Sequence, residues 1–523
     1  MCREPAGSVN LADCKVAAMD IERVAVVGLG TMGAGIAEVL ARAGLQVVGI
    51  EVDEAALSRG VAILDGSLAK AVSRGKLTEA EREVIRGRIR PTTAFSDAAR
   101  VDLAIEVVPE QLAIKRQIFA QLDRVCGPET ILATNTSSLS VTAIAAGTKH
   151  PERVVGMHFF NPATVMRLVE VVSTVLTTPA TVGAVNGLAR QLGKTPVQVA
   201  DRAGFVANAL LLPYLNHAAR LLETEYASRE DIDAAATAGA GLPMGPLALL
   251  DLIGLDTCVS VLQVLHEEFG GTRYLPAPLL RRLTDAGRTG RKSGHGFYDY
   301  TGTTARPGTA AGDTEADGGP AVPGLVTVLG SSDFDQIGTD LAAAGINITR
   351  NPAHDSELIL VEATPAGPVL PAALAAGRPE QAIGLHTNPG PADDRLAELI
   401  STGLTGVAAR SAAEAIAAKL GLRVVHAPDR PGFLVAALLY PQLADAVRMV
   451  QDGYASAADV DTAMTLGCGY PRGLFALLDS IGPGTVAEVL ETMHDGYGDP
   501  AFAVPLLLAE HAAAGLPFLP AAG

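Results

Sequence analysis

The sequence predicts an α/β domain followed by an all-α domain, and then a reduced α/β domain followed by a second all-α domain. Up to about residue 200, short apolar runs alternate with helical patterns, which is typical of a mostly parallel sheet. Residues 203–285 are rich in Leu and Ala and have helical periodicity. The second half of the chain repeats this order in shorter form, so we expect a duplication.

Composition narrows the class of protein. The chain has 523 residues, of which 48% are hydrophobic and 19% charged, as expected for a globular protein of several domains. Its net charge of −17 argues against a nucleic-acid partner and against a general attraction to anionic membranes. Residues 1–20 lack the apolar core of a signal peptide, and no apolar run is long enough to span a membrane. We expect a cytoplasmic location, because the scattered cysteines are most simply interpreted as reduced thiols. The five cysteines lack metal-binding spacing, so no metal is expected.

Six short apolar segments predict strands in the first α/β domain. They cover residues 23–28, 46–52, 101–108, 130–134, 153–158 and 168–172. Residues 55–90, which are rich in Ala, Lys, Arg and Glu, predict a helical hairpin inserted after the second strand.

Changes in composition predict the domain boundaries. The stretch 301–323 is dense in Gly, Pro, Thr and Asp, which is typical of a linker. We expect an N-terminal extension at 1–20, an α/β domain at 21–200, an all-α domain at 201–300, the linker at 301–323, a reduced α/β domain at 324–428 and a second all-α domain at 429–523.

Residues 201–254 are repeated at residues 429–482. At a constant offset of 228 residues, 28 of these 54 positions are identical without a gap. Shared helical composition does not produce such a register, so we interpret the two segments as copies of one domain. A repeat this long and present only twice is not a solenoid.

A glycine-rich turn follows the first predicted strand. Gly28, Gly30 and Gly33 form a GxGxxG pattern between a strand and a helix, where glycines permit a tight turn, close approach of a pyrophosphate and close helix packing. Glu51, at the end of the second strand, is expected to bind the ribose hydroxyls, with Asp53 as the next choice. The glycine pattern between a strand and a helix is typical of a Rossmann domain. Because no arginine follows to accept a 2′-phosphate, the pattern favours NAD over NADP.

A second pattern places a histidine and a glutamate on neighbouring strands. His158 lies at the end of one predicted strand and Glu170 lies within the next, among Leu and Val residues. A buried carboxylate needs a partner, and an imidazole oriented by that carboxylate can act as a base through its other nitrogen. A buried ion pair that only joins two strands explains the same spacing, and the residues alone leave both explanations open.

Taken together, the motifs resemble those of the L-3-hydroxyacyl-CoA dehydrogenases. They are GxGxxGxGIA, NTSS, HFFNP followed by LVEVV, GFVAN, GAGLPMGP followed by LDLIGLDT, and GRKSGHGFYDY, in the family's order over roughly residues 22–300. The resemblance implies reversible, NAD-dependent oxidation of a (3S)-3-hydroxyacyl-CoA to the 3-oxoacyl-CoA. It implies that His158 is the general base and that Glu170 orients it. It also implies that Ser137 and Asn208 hydrogen-bond the substrate oxygen.

The resemblance further implies contacts to the cofactor and to the acyl-CoA substrate. The implied cofactor-binding residues are Gly28, Gly30, Thr31, Met32, Gly33, Glu51, Glu110, Lys115, Ser137, Asn161 and Lys292. Ser67 and Arg74 match positions that contact CoA, with Lys70 nearby, although Arg74 stands where the family commonly has lysine. Ordinary charge on the surface of a helix or loop is the alternative explanation of these charged residues.

The second half resembles two-copy bacterial members of the family in weakened form. At the offset of 228, His386 and Glu398 correspond to the histidine and glutamate of the first copy. However, Pro365 and Ala436 replace the two substrate-facing residues, and residues 328–338 lack the glycine pattern. Neither replacement can donate a hydrogen bond from its side chain. We therefore expect one active site per chain.

The repeated all-α domain predicts an internal pairing. By resemblance, this domain carries the dimer interface of the family, so residues 429–523 are expected to dock on residues 201–290 as a pseudo-dimer. A homo-oligomer of such chains is compatible with this arrangement.

Two other functions remain open from the sequence. One is a dehydrogenase of a free hydroxy acid, such as a sugar acid, on the same fold, and the other is a non-catalytic NAD-binding protein. Within the resemblance, 3-hydroxybutyryl-CoA and 3-hydroxyadipyl-CoA both fit as substrates. The corresponding pathways are fatty-acid degradation, short-chain acyl-CoA metabolism and aromatic-acid degradation of the phenylacetate type.

Overall fold

The computed structural model describes residues 21–302, 322–331, 335–351, 355–388 and 395–520. The N-terminal extension expected at 1–20 and most of the expected linker, residues 303–321, lie outside these ranges. The chain divides into two compact units, with the first ending at Phe205 and the second beginning at Val206.

The first unit contains an eight-stranded sheet. Its strands are β1 (Arg23–Val27), β2 (Gln46–Ile50), β3 (Ile89–Thr92), β4 (Leu103–Glu106), β5 (Ile131–Thr134), β6 (Val154–Phe159), β7 (Leu168–Ser173) and β8 (Thr195–Ala200). The order is β3-β2-β1-β4-β5-β6-β7-β8, and all neighbours run parallel except β6 and β7. The inner strands are buried on both faces, which explains their continuous apolar sequences. The predicted Rossmann-type α/β fold is confirmed.

Helices cover the sheet of the first unit. They are α1 (Thr31–Arg42), α2 (Glu54–Ser73), α3 (Glu79–Gly87), α4 (Leu112–Val125), α5 (Val141–Ala145) and α6 (Pro179–Gln191). The helical hairpin expected at residues 55–90 consists of α2 and α3. Thr78 and Glu81 start α3 with reciprocal capping hydrogen bonds, which satisfy donors that a helix start leaves free.

Two strands of this sheet were not among the predicted segments. They are β3 and β8, and they form the two edges of the sheet. Each contains a proline, Pro91 in β3 and Pro196 in β8. Proline removes a hydrogen-bond donor from a strand and is tolerated at sheet edges, so such strands have weak sequence patterns.

The second unit contains a smaller sheet of six strands. Its strands are β9 (Leu325–Leu329), β10 (Asn347–Thr349), β11 (Leu358–Glu362), β12 (Ala382–Asn388), β13 (Leu396–Ser401) and β14 (Arg423–Pro428). The order is β10-β9-β11-β12-β13-β14, and only β12 and β13 are antiparallel. The sheet therefore repeats the antiparallel pair of the first sheet but has two strands fewer, as expected for a reduced Rossmann-like domain.

The rest of the second unit is helical. The helices are α7 (Ala207–Glu223), α8 (Arg229–Ala234), α9 (Pro246–Ile253), α10 (Leu255–Phe269), α11 (Gly271–Tyr274), α12 (Pro278–Asp285), α13 (Asp335–Ala343), α14 (Leu370–Ala375), α15 (Val407–Lys419), α16 (Val435–Gln451), α17 (Ala457–Cys468), α18 (Leu474–Ile481), α19 (Pro483–Tyr497) and α20 (Leu506–Ala514).

Helices α7 and α16 occupy corresponding positions in the two copies, and they lie against each other. Each is largely buried. Nε2 of Gln442 donates to the carbonyl of Leu210 at 3.2 Å, and Nε2 of His217 donates to the carbonyl of Ala437 at 3.0 Å. Burial lowers the pKa of His217 to about 4, so this imidazole is neutral at pH 7.

In the parts of the chain that the structure describes, no single helix is both long and apolar enough to cross a membrane. Among those described helices, α9 and α10 reach that length and composition as a pair, but they are bent by 97° relative to each other.

Candidate active site

In the glycine-rich turn between β1 and α1, a side chain has no room at the first and last glycines but has room at the middle one. Gly28 has a φ of +97°, and a Cβ there would lie 2.7 Å from the carbonyl oxygen of Val107. A Cβ at Gly33 would lie 1.8 Å from the carbonyl oxygen of Gly28, whereas a Cβ at Gly30 would meet nothing within 4 Å. The turn therefore leaves room for a pyrophosphate beside Gly30 and the first residues of α1, Thr31 and Met32. Helix N–H groups there attract an anion, so these residues fit NAD.

Two acidic residues follow β2, and they have different contacts. Oε1 of Glu51 accepts a hydrogen bond from the backbone N–H of Leu29, inside the glycine turn, at 2.6 Å. Oδ1 of Asp53 instead accepts from the N–H of Ala56 at 2.7 Å and caps the start of α2. Glu51 is thus held at the glycine turn, whereas Asp53 stabilises a helix.

His158 and Glu170 face each other across the antiparallel strands β6 and β7. Nδ1 of His158 lies 2.8 Å from Oε2 of Glu170, and the side chains are 7% and 0% exposed. Because a carboxylate can only accept, Nδ1 carries the proton and Nε2 is the basic nitrogen. The ring also packs against Phe160 and Phe205, with centroids 4.6 and 5.6 Å away. The structure therefore provides an oriented base.

Ser137 lies in a loop, residues 135–138, that follows β5. One carboxylate oxygen, Oε1 of Glu110, lies within hydrogen-bonding distance of five donors in this loop. They are the hydroxyl of Thr136 (2.5 Å), the N–H and hydroxyl of Ser137 (2.9 and 3.3 Å) and the N–H and hydroxyl of Ser138 (3.1 and 3.2 Å). Glu110 therefore determines where the loop lies.

Glu110 also contacts a buried lysine. Its Oε2 lies 3.3 Å from Nζ of Lys115, which is 1% exposed. Burial raises the pKa of the Glu110 carboxyl, but the charge of Lys115 and the hydrogen bonds from Thr136 and Ser137 outweigh it, so the pKa is below its usual range. Glu110 is thus a carboxylate at neutral pH.

Two polar residues near Ser137 were missed by the sequence analysis. Glu106 is a fully buried carboxylate at the end of β4 that contacts Lys115. Asn135 accepts a hydrogen bond from the N–H of Phe159, the residue after His158, at 2.8 Å. An acidic residue inside the apolar run LAIEVV is the same signal that identified Glu170, so Glu106 could have been found. For Asn135, the sequence contains no comparable signal.

The remaining predicted site residues lie on other elements of the two units. Asn161 is exposed after β6, and Ser67 and Arg74 lie in and directly after α2. Asn208 and Lys292 belong to the second unit, where Asn208 lies in the first turn of α7. Nζ of Lys292 donates to Oδ2 of Asp256 at 2.7 Å. Among the described residues, no group of three or more His, Cys, Asp and Glu side chains could hold a metal ion.

The corresponding pair in the second sheet has other partners. His386 and Glu398 are opposite in register, as in the first sheet. However, Nδ1 of His386 donates to the carbonyl of Ala363 at 3.0 Å. Oε1 of Glu398 accepts from the N–H groups of Leu434 and Val435, at 2.8 and 3.0 Å, at the start of α16. The second glutamate therefore anchors a helix and does not orient the histidine.

Two family models of one enzyme family match most of the first half of this chain and the end of the second half. The family model of the 3-hydroxyacyl-CoA dehydrogenase NAD-binding domain matches residues 23–202. The model of the C-terminal domain of the same enzymes matches residues 204–300 and again 432–517. The second match agrees with the duplication that we inferred from the sequence.

Individual relatives cover either the whole chain or its first half. The 3-hydroxyadipyl-CoA dehydrogenase of Escherichia coli K12 is 36% identical over 500 residues, which is 94% of this chain and 98% of that protein. The 3-hydroxybutyryl-CoA dehydrogenase of Mycobacterium tuberculosis H37Rv is 49% identical over 282 residues, which is 54% of this chain and 99% of that protein. A crystal structure of 3-hydroxybutyryl-CoA dehydrogenase from Escherichia coli K12 superposes with a TM-score of 0.80 at 35% identity, covering 95% of this chain and 99% of that one.

Proposed function

The chain belongs to the 3-hydroxyacyl-CoA dehydrogenase family and is an NAD-dependent oxidoreductase, and from this premise we propose that His158 is the general base of its reaction. The substrate is a (3S)-3-hydroxyacyl-CoA and the product is the 3-oxoacyl-CoA. This assignment rests on the buried contact of 2.8 Å between Nδ1 of His158 and Oε2 of Glu170.

The pair performs the proton transfer of the reaction. Nε2 of His158 accepts the proton of the 3-hydroxyl group, and the charge that develops on the ring is stabilised by Glu170. NAD, when bound, accepts the hydride that leaves C3. Because Glu170 is fully buried, its attraction for the protonated ring is only weakly screened by water.

We assign the substrate oxygen to Ser137 and Asn208. The Ser137 hydroxyl makes the longest of the five contacts to Oε1 of Glu110, at 3.3 Å. The Ser137 N–H donates to the same oxygen at 2.9 Å, which holds the loop beside Glu110. The role of Asn208 rests on its match to the family motif.

The binding residues follow the same reasoning. For NAD we propose Gly28, Gly30, Thr31, Met32, Gly33, Glu51, Glu110, Lys115, Ser137, Asn161 and Lys292. For the CoA part of the substrate we propose Ser67, which lies in α2, and Arg74, which lies directly after it and is exposed. The open space at Gly30 and the position of Glu51 at the glycine turn support the NAD assignment.

The acyl group is a short chain or a short dicarboxylic chain in this proposal. The relative that matches 94% of this chain is named 3-hydroxyadipyl-CoA dehydrogenase. The relative that matches 54% of it is named 3-hydroxybutyryl-CoA dehydrogenase. The corresponding pathways are fatty-acid, short-chain acyl-CoA or aromatic-acid degradation. Values of kcat/KM measured with acetoacetyl-CoA and with 3-oxoadipyl-CoA would identify the preferred acyl group.

One experiment tests the assignment of the base and the number of sites. NADH oxidation by acetoacetyl-CoA is measured for the wild type, His158→Ala and His386→Ala. A general base contributes about 10²–10⁴-fold, so His158→Ala should lose activity by about that factor. His386→Ala should keep wild-type kcat/KM, because His386 is not oriented by Glu398. Activity that survives the first change but not the second would overturn the proposal.

We also propose that the two all-α domains of one chain form an internal pseudo-dimer. The contacts between α7 and α16 support this proposal, as does the ion pair between Arg273 and Asp445. The second copy then serves as a partner for the first and contributes no second active site.

A further inference from the structure

We propose that Glu106 is a positioning residue for the reaction, acting through Lys115 and Glu110 on the loop that carries Ser137. This inference rests on the role proposed above for Ser137. The carbonyl of Glu106 accepts from the N–H of Asn135, the first residue of this loop, at 2.9 Å, whereas the Glu106 carboxylate acts on the loop only through other side chains.

Glu106 is fixed by contacts to both of its carboxylate oxygens. Oε1 accepts from Nζ of Lys115 and from the N–H of Val108, each at 2.7 Å, and Oε2 accepts from the hydroxyl of Thr134 at 2.7 Å. The side chain is fully buried. A carboxylate in such a place is stable only with charged or strongly donating partners. Glu106 therefore joins β4, the start of α4 and the end of β5.

Lys115 connects Glu106 to Glu110. Its Nζ lies 2.7 Å from Oε1 of Glu106 and 3.3 Å from Oε2 of Glu110, and it also donates to the carbonyl of Val108 at 3.3 Å. The shorter contact is to Glu106, so Glu106 determines where the ammonium group lies. If the charge of Glu106 were removed, the ammonium would be attracted only by Glu110 and would move toward it.

Glu110 transmits such a movement to Ser137. A carboxylate oxygen has room for only two or three good hydrogen bonds, yet Oε1 of Glu110 lies within reach of five donors from residues 136–138. A small displacement of this oxygen therefore changes which donors it holds.

The test compares Glu106→Gln with a matched control, Glu38→Gln. The glutamine keeps the volume of Glu106 and one acceptor oxygen for Lys115 and Val108, and it removes the charge. Its NH2 group replaces the oxygen that faces Thr134, whose hydroxyl can turn to accept. Glu38 in α1 is also a fully buried carboxylate of this unit, paired with Arg42 at 2.5 Å. A displacement of about 1 Å can cost as much as 100-fold in rate, so we expect kcat/KM for acetoacetyl-CoA to fall about tenfold or more in Glu106→Gln. Glu38→Gln should change it less than about twofold at a similar fall in Tm.

A double substitution identifies the route of the effect. If Glu106 acts through Lys115, then adding Glu106→Gln to Lys115→Met should lower kcat/KM no further than Lys115→Met alone. Losses that multiply would overturn the proposal, as would wild-type kcat/KM in Glu106→Gln or an equal loss in Glu38→Gln. His158→Ala in the same assay distinguishes a failure of the role proposed for Glu106 from a failure of the proposed function. Activity that survives His158→Ala refutes the proposed function itself.

Discussion

The partners of a side chain determine what it does, as the two histidine–glutamate pairs of this protein demonstrate. His158 and His386 lie at corresponding positions, each opposite a buried glutamate. In the first pair, Glu170 binds the imidazole. In the second, Glu398 binds the N–H groups at the start of α16. The same two residue types thus contact each other directly in the first copy, whereas in the second copy the glutamate holds the start of a helix.

Glutamine substitutions should separate these two roles. Glu170→Gln removes the charge that stabilises the protonated imidazole, so we expect kcat/KM to fall about 100-fold or more. Glu398→Gln weakens charge-assisted hydrogen bonds to backbone N–H groups, so unfolding should become easier by about 1 kcal/mol while kcat/KM stays within about twofold of the wild type. Steady-state assays and urea unfolding of both variants measure the two effects. A large loss of activity in Glu398→Gln alone would contradict the assignment.

At the scale of elements, the sequence patterns were sufficient to predict the inner strands, including the antiparallel pair β6 and β7 that carries His158 and Glu170. Apolar runs predicted β1, β2, β4, β5, β6 and β7, and an acidic residue in such a run identified Glu170. The edge strands β3 and β8 were missed because each contains a proline and lies at an edge, where less of the strand needs to be apolar.

The contacts around Ser137 could not be predicted from the sequence. Glu110, Lys115 and Glu106 lie 20–29 residues before the start of the loop of residues 135–138, and the parallel pairing of β4 with β5 brings these segments together. A periodic pattern reports which face of an element is buried, but it does not report which side chain of another element lies opposite.

The glycine turn between β1 and α1 offers a prediction at the scale of an element. Gly33→Ala places a Cβ 1.8 Å from a backbone oxygen, so both Tm and NADH affinity should fall. Gly30→Ala places a Cβ in open space, so Tm should stay near that of the wild type while NADH binding weakens about tenfold through contact with the pyrophosphate. Fluorescence titration with NADH and thermal unfolding measure the two quantities. Unchanged NADH affinity in Gly30→Ala would contradict the proposed pyrophosphate position.

At the scale of the whole molecule, the duplication could be predicted from the sequence, whereas the contacts between the two copies could not. An offset of 228 residues identified both copies of the all-α domain. The hydrogen bonds that join α7 to α16 use the backbone carbonyls of Leu210 and Ala437. Because every residue has a carbonyl, its use as an acceptor cannot be predicted from the residue type.

Removing the second half should expose the face of α7 that α16 covers. In a chain ending at Gly302, the buried apolar side chains of α7 that pack on α16 would meet water, which is unfavourable by about 25 cal/mol per Å² of apolar surface. We expect this shortened chain to self-associate, with a lower Tm than the full chain. Light scattering after gel filtration measures the association. A monomer as stable as the full chain would refute the internal pseudo-dimer.

The contacts between the two copies are not symmetric. At the offset of 228, the position of His217 corresponds to that of Asp445, yet His217 donates to the carbonyl of Ala437 while Asp445 pairs with Arg273. Two identical chains related by a twofold axis must use each surface twice, so any substitution appears on both sides of the interface. Two copies on one polypeptide vary independently. Because the two copies are joined in one chain, their interface does not need to be self-complementary. Each side can acquire substitutions that fit the other copy alone.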